Sequence, residues 1–307
     1  MRFPRCFATL IIALAFSPGS LPAADTGTLN IDELRAAAAK GDAEAHYSLG
    51  KAWYTGVGVQ KDYGKAAEAF RESARLGNVK AHTNLGGMYS TGIGVEKDPA
   101  EAVKWFRKAA ELGDRMAQYN LGLCLEKGAG VPRNLADAMR WYTASGEAGQ
   151  VEAQAILGFI YFTGSYGGAD GIAQDYSQAA KWYRLAALQG NSVAQNGLGV
   201  LYENGWSVGK DVVEALRLYR LAAENGEPRA QANLARMYES GTGIPKDISK
   251  ALLWYTLSAD QGEIMGKRGI EGMIESGRIS PKRVDEGKRM AEAYRAEHPA
   301  KQAPRTR

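Results

Sequence analysis

From residue 43 onward, small and apolar positions recur at intervals of three and four, a period that predicts helices rather than strands. The stretch AEAHYSLGKAWY (43–54) is followed by a short glycine-containing break and a second periodic stretch. The pattern then returns as VKAHTNLGGMYS (79–90) and AEAVKWFRKAAEL (100–112). In the first helix of each pair small residues share one face: Ala45 with Gly50, Ala81 with Gly86, Ala117 with Gly122, Ala153 with Gly158. Such a face lets a neighbouring helix approach closely. Leucine stands just before the second small residue each time (Leu49, Leu85, Leu121, Leu157, Leu198, Leu234), and an aromatic residue or leucine follows four later. The second helix carries its own apolar stripe, Ala102, Trp105, Phe106 and Ala109, with lysine and arginine on the opposite side.

The breaks read TGVGVQKD (55–62), TGIGVEKD (91–98) and GTGIPKD (241–247), with weaker copies GAGVPRN (128–134) and GWSVGKD (205–211). A phosphate-binding loop needs wider glycine spacing and a Gly-Lys-Ser/Thr ending. Here Gly56 and Gly58 are two apart and Lys61 is followed by Asp62, whose charge repels phosphate at a helix start. A catalytic loop is needed once, whereas these return in every copy and therefore read as turns. Each ends in a side chain suited to an N-cap: Asp62, Asp98, Asn134, Asp175, Asp211 or Asp247. Pro99 sits where a first helical position tolerates it. The pairs open at Gly41, Gly77, Gly113, Gly149, Gly190, Gly226 and Gly262, spaced 36 residues apart except for one interval of 41. Glycine there suits the left-handed end of the preceding helix.

Units such as GNVKAHTNLGGMYSTGIGVEKDPAEAVKWFRKAAEL resemble Sel1-like repeats, relatives of the tetratricopeptide repeat. The resemblance covers six copies, 41–76, 77–112, 113–148, 149–189, 190–225 and 226–261, and implies an all-α, right-handed α/α solenoid of helix pairs with terminal capping helices. A degenerate seventh copy, 262–297, loses the Leu-Gly pair and the aromatic pair. It reads as the C-terminal cap, with Ser280 as N-cap and Pro281 at the first helical position. Residues 25–40, containing LNIDELRAAAAK, supply a lone N-terminal capping helix, and 298–307 read as a disordered tail.

The first 24 residues have the form of a secretory signal: Arg2 and Arg5, the apolar run Cys6 to Phe16, and a small-residue end with cleavage expected near Ala24. That run is 11 residues, too short to span a bilayer. The mature chain is therefore expected in the periplasm or outside the cell, soluble and without a membrane segment. Its removal leaves 36 basic against 34 acidic residues, a balance that gives no case for nucleic acid. Only Cys124 then remains, so no internal disulfide can form, and its apolar surroundings suggest a buried thiol.

In a solenoid, function sits in departures from the repeat. The fourth unit's loop is expanded to TGSYGGADGIAQD (163–175), offering Tyr166 and Asp170 as contact residues; a harmless surface insertion is the alternative. Trp206 replaces a small apolar residue in the fifth loop and is a binding anchor if exposed, ordinary packing if tucked. Asn84, Asn120 and Asn233 share one first-helix position. In related helical repeats such asparagines line a groove and hold an extended peptide; hydrogen bonding between stacked helices is the other reading. His46 and His82 occupy a position that later units fill with Gln118, Gln154, Gln195 and Gln231, which suggests hydrogen bonding rather than metal. No nucleophile motif is assembled, and neither a catalytic group, a cofactor nor a metal is expected. The resemblance implies a scaffold or adaptor for protein partners of the cell envelope, in signalling or polysaccharide export. Peptidoglycan or glycan binding is the alternative, and a β-lactamase-like or penicillin-binding enzyme a weaker one, since the paired cysteines of such relatives are missing.

Overall fold

The computed structural model describes residues 30–164 and 171–299, among which there are fifteen α-helices and no strand. The chain divides into two compact units, Met1–Ala153 and Gln154–Arg307. The first contains α1 (Ile31–Ala38) and the helix pairs α2 (Ala43–Thr55) with α3 (Tyr63–Arg75), α4 (Val79–Thr91) with α5 (Pro99–Glu111), and α6 (Arg115–Lys127) with α7 (Leu135–Glu147). After α8 (Val151–Thr163), the second contains α9 (Tyr176–Leu188), α10 (Ser192–Asn204), α11 (Val212–Glu224), α12 (Pro228–Ser240), α13 (Ile248–Asp260), α14 (Ile264–Glu275) and α15 (Arg283–Glu297).

The turn chemistry read from the sequence sets the helix ends. Asp98 Oδ1 accepts from the backbone N–H groups of Ala100 and Glu101 at 3.0 Å each, and Asp211 Oδ1 from those of Val213 and Glu214 at 3.0 and 2.9 Å. The backbone N–H of Lys250 likewise holds the Asp247 carboxyl below the usual aspartate range. At the other end, Gly92 has φ of 79° and its N–H returns to the Met88 carbonyl, so glycine closes the first helix as well as the second.

In the first unit a buried ring from each second helix lies against a glycine of the first. A Cβ at Gly50 would stand 2.5 Å from the Phe70 ring, one at Gly86 2.5 Å from Phe106, and one at Gly122 2.6 Å from Tyr142. The small-residue face thus admits a ring within the pair. Ser73 Oγ donates to the Ala43 carbonyl at 2.7 Å and Ser145 Oγ to that of Arg115 at 2.6 Å, tying α3 and α7 to the starts of α2 and α6. Within the first unit, Ala38 of α1 is buried in one cluster with Ala45 and Leu49 of α2.

The second unit repeats this scheme with Tyr183 wedged between Gly158 and Gly197, where added Cβ atoms would lie 2.4 and 2.5 Å from its ring. Its last pair is α14 and α15, and α15 packs through Tyr294 on Trp254 of α13, ring centroids 5.1 Å apart. The expected start of this final helix is corrected: α15 begins at Arg283, and Ser280 does not cap it. Instead the Ser280 and Pro281 carbonyls accept from the N–H groups of Arg283 and Val284 at 2.9 and 3.2 Å, so the Pro-Lys step is spent on a turn before the helix.

The histidine and glutamine position does the hydrogen bonding expected of it. Gln118 Nε2 donates to the Ala110 carbonyl and Gln231 Nε2 to that of Ala223, both at 3.2 Å, adding a side-chain donor to helix-end carbonyls that also accept from the N–H groups of Gly113 and Gly226. His82 Nδ1 lies 2.9 Å from the Asn78 carbonyl.

Candidate functional site

Trp206 follows Gly205, the left-handed glycine that closes α10, and its N–H also returns to the Leu201 carbonyl at 3.1 Å. The indole is stacked on Tyr176, the first residue of α9, with centroids 4.8 Å apart and planes 14° from parallel. Phe162 stands behind both, 6.1 Å from Trp206 and 5.7 Å from Tyr176, and reaches the buried Tyr183 ring at 6.2 Å. A continuous aromatic shelf therefore runs from the core to the surface, and Trp206 at its outer end is 38 % exposed. The tryptophan is both packed and available: one face is stacked while more than a third of it meets solvent. Pairs of this kind add about 0.5–1.5 kcal/mol beyond area burial, enough to fix the ring's orientation before any ligand arrives.

Ser207, next in the chain, has φ of 56° and is the one non-glycine residue with positive φ among those described. The same loop position holds glycine at 58, 94, 130 and 243. Holding serine in the left-handed region costs about 1–2 kcal/mol, so the fifth loop carries strain that its siblings avoid, beside its exposed aromatic residue.

The expanded loop leads directly into this shelf. Gln174 Nε2 donates to the Phe162 carbonyl at 2.8 Å and Asp175 caps α9 immediately before Tyr176. The described end of that loop, Gln174 and Asp175, and Trp206 thus both lie at the start of α9. Tyr166 and Asp170 themselves lie outside the described residues. Phe162 and Tyr176 were not singled out, although one had a signal. Phe162 occupies the position of Glu126, Glu203 and Glu239, which accept from Tyr142, Tyr219 and Tyr255 at 2.6, 2.8 and 2.8 Å. The first two repeats hold Tyr54 and Ser90 there, where the facing ring is Phe70 or Phe106, so Phe162 facing Tyr183 is the break in the pairing of tyrosine with glutamate that marks the shelf.

The three asparagines are placed within the helix stack. Asn233 Nδ2 donates to Asn196 Oδ1 at 2.9 Å, joining α12 to α10. Burial pushes the Tyr47 phenol of α2 up to about 12, and the Asn84 amide of α4 beside it pulls the other way. Asn84 and Asn120 are 1 % and 0 % exposed.

Cys124 is buried on α6, and burial pushes its thiol up to about 11, the reverse of the depressed value a nucleophilic cysteine needs. Among the described residues no group of three or more His, Cys, Asp or Glu side chains could hold a metal ion. In the first unit an open concavity of about 480 Å³ is lined by Arg35, Trp53, Lys61, Asp62 and Lys65 among others, and the Lys65 ammonium already lies 4.8 Å over the Trp53 ring. No described helix is long and apolar enough to cross a membrane.

The Sel1 repeat family model matches residues 43–78, 79–114, 115–150, 151–191, 192–227 and 228–263. No curated protein matches the chain. Among solved structures, the Sel1 repeat protein from Oxalobacter formigenes is 31% identical with a TM-score of 0.69, over 81% of this chain and 96% of that one. The protective antigen c5321 of uropathogenic Escherichia coli, described as having an SLR fold, is 26% identical with a TM-score of 0.43, over 87% and 72% of the two chains. Six contiguous matched repeats, built on the glycine-closed helix pairs described above, place this chain in the Sel1 repeat family.

Proposed function

We propose that the chain is an exported, periplasmic adaptor that binds a protein of the cell envelope through the aromatic shelf of its second unit and performs no catalysis. Sel1 repeats typically serve as scaffolds for protein–protein interaction, and the finer reading rests on one observation: Trp206, held by Tyr176 and backed by Phe162, presents an oriented indole beside a strained loop. Aromatic anchors of this kind dominate binding energy because they bury much area at little entropic cost. Export is supported by the signal-like first 24 residues. The exposure of the Trp206 indole, a surface on which a sugar ring can stack, supports glycan binding as the second reading.

The test is crosslinking of tagged protein in its own envelope, comparing wild type with Trp206→Ala. One stoichiometric protein partner, lost in the variant while circular dichroism is unchanged, supports the adaptor. Recovery of wall fragments alone transfers the site to glycan. N-terminal sequencing of the exported chain should begin at about Asp25; an unprocessed Met1 removes the export reading.

A further inference from the structure

The outward side of α9 carries Lys181, Arg184, Leu185 and Leu188 on one stripe at helical spacing, and the matching stripe of α11 is Arg217, Arg220, Leu221 and Glu224. Leu185 and Leu221 occupy the same repeat position and are 39% and 37% exposed, while Leu188 is 81% exposed. The thirteen residues of α9 include no acid. Arg184 and Arg220 form no ion pair among the described residues. Arg217 is held by Glu214 at 2.6 Å, and Lys181 Nζ sits 4.7 Å over the Trp182 ring. Glu224 is the acidic member of the stripe, and its charge adds to the rise that burial causes in the Tyr294 phenol.

The repeats supply their own comparison. Where α9 and α11 have leucine, the second helices of the first unit have Glu72, Lys108 and Ala144. Ion pairs within each helix lie on those faces as well, Glu72–Arg75 at 2.5 Å, Glu101–Lys104 at 2.8 Å and Asp137–Arg140 at 3.4 Å, the last two in the register of Glu214–Arg217 on α11. Leucine is therefore not demanded by the repeat. The next member of the leucine row, Leu257 on α13, is only 1% exposed. It lies between Trp254, against which Tyr294 of α15 packs, and Asp260, which is paired with Arg295 of α15. At one of three positions, then, the row is already buried in a cluster to which a helix of the same chain contributes, with an aromatic residue and an ion pair on either side.

We propose that the α9–α11 stripe docks an acidic amphipathic helix of a protein partner, its apolar residues on Leu185 and Leu221 and its carboxylates against Lys181, Arg184 and Arg220. The partner helix continues the packing begun at Leu257, with charge complementarity replacing the Asp260–Arg295 pair. The occupant is not the chain's own tail, because KQAPRTR (301–307) is basic and meets a basic face. Nor does the surface suit a bilayer: Leu185 and Leu221 are sunk by more than half, which leaves Leu188 as the one projecting leucine of the stripe. The inference goes beyond the Trp206 reading and stands without it, since neither Trp206 nor Tyr176 belongs to the stripe.

The test uses the mature full chain and three probes: a short leucine–glutamate amphipathic helix, the same helix with lysine for glutamate, and phosphatidylglycerol vesicles. The variant Leu185→Lys/Leu221→Lys keeps the fold, because Lys108 occupies the same position in α5; circular dichroism verifies this. The acidic helix should bind wild type, and at least about tenfold more weakly in the double variant and in Arg184→Glu. The basic helix should not bind, and Trp206→Ala should leave the acidic helix's affinity unchanged. The proposal is overturned if wild type and double variant bind alike, if the basic helix binds as well as the acidic one, or if vesicles alone retain the protein. A concentration-dependent dimer abolished by the double variant would assign the stripe to a second copy instead, and would equally overturn it.

Discussion

Gly86→Ala sets two well-known effects against each other, and the structure decides the sign. Gly86 is interior to α4, where replacing glycine by alanine ordinarily stabilises a helix by about 1 kcal/mol. A Cβ there, however, would lie 2.5 Å from Phe106 Cδ1 and 2.6 Å from Cε1, well inside contact distance. Phe106 is 0% exposed, so the ring cannot swing into solvent to make room. Overpacking of this kind costs about 1–3 kcal/mol, which set against the propensity gain leaves a net loss of about 0–2 kcal/mol. Urea unfolding followed by circular dichroism should show a lowered midpoint with unchanged slope. The mechanism has a second signature. Phe106→Leu alone should destabilise by trimming the core, but in the Phe106→Leu background Gly86→Ala should become neutral or stabilising, because the alanine methyl then fills space the ring has left. An increase in stability of about 1 kcal/mol on Gly86→Ala alone would refute the reasoning, for it would mean that helix propensity rather than ring contact governs this position.

Three further outcomes follow from named contacts. Tyr219→Phe removes a hydroxyl that donates to Glu203 at 2.8 Å and should cost about 1–2 kcal/mol in urea unfolding, limited because Arg236 still pairs with that carboxylate at 2.6 Å. Burial raises the phenols of Tyr47, Tyr119, Tyr183, Tyr219 and Tyr255 above their ordinary value of 10.0, Tyr47 to about 12. The unfolded chain therefore loses these protons first. Stability should be intact below pH 10 and then fall by about 1.4 kcal/mol per pH unit for each such tyrosine between pH 10 and 12; ultraviolet titration should show phenolate appearing together with unfolding, not before it. Cys124, 2% exposed with its thiol pushed up to about 11, should react with a disulfide reagent only in denaturant, and rapid labelling of the native chain at neutral pH would contradict its burial.

Internal repetition made the fold legible. A residue such as Asp98 is a weak signal once, but with Asp62, Asn134, Asp175, Asp211 and Asp247 at the same register it can only be a recurring cap, and the hydrogen bonds bear this out. The same logic identified Gln118 and Gln231 as hydrogen-bonding positions. Where the repeat degenerates the reading weakened: Ser280-Pro281 has the form of a helix start, yet the turn before Arg283 takes up both residues. Side chains that act across repeats were harder still. Asn84, Asn120 and Asn233 share a register, but only the three-dimensional stack shows Asn233 bonded to Asn196 and the other two sealed from solvent.

The candidate surfaces illustrate the same division. Periodicity identifies positions that must be alike, whereas a binding surface consists of positions free to differ, and difference has no template. Trp206 was visible because it broke a glycine-rich loop. Phe162 became meaningful only against the glutamates it replaces, once Tyr142, Tyr219 and Tyr255 were seen to need them. Leu185 and Leu221 broke nothing, since leucine on a helix reads as core until its exposure is measured. Their significance comes from Leu257, where the same residue at the same register is buried in the cluster that the chain's last helix joins. A solenoid that buries one leucine of a row in the cluster its last helix joins, while leaving two half-open, displays in its own terminal packing the kind of contact those two positions accept.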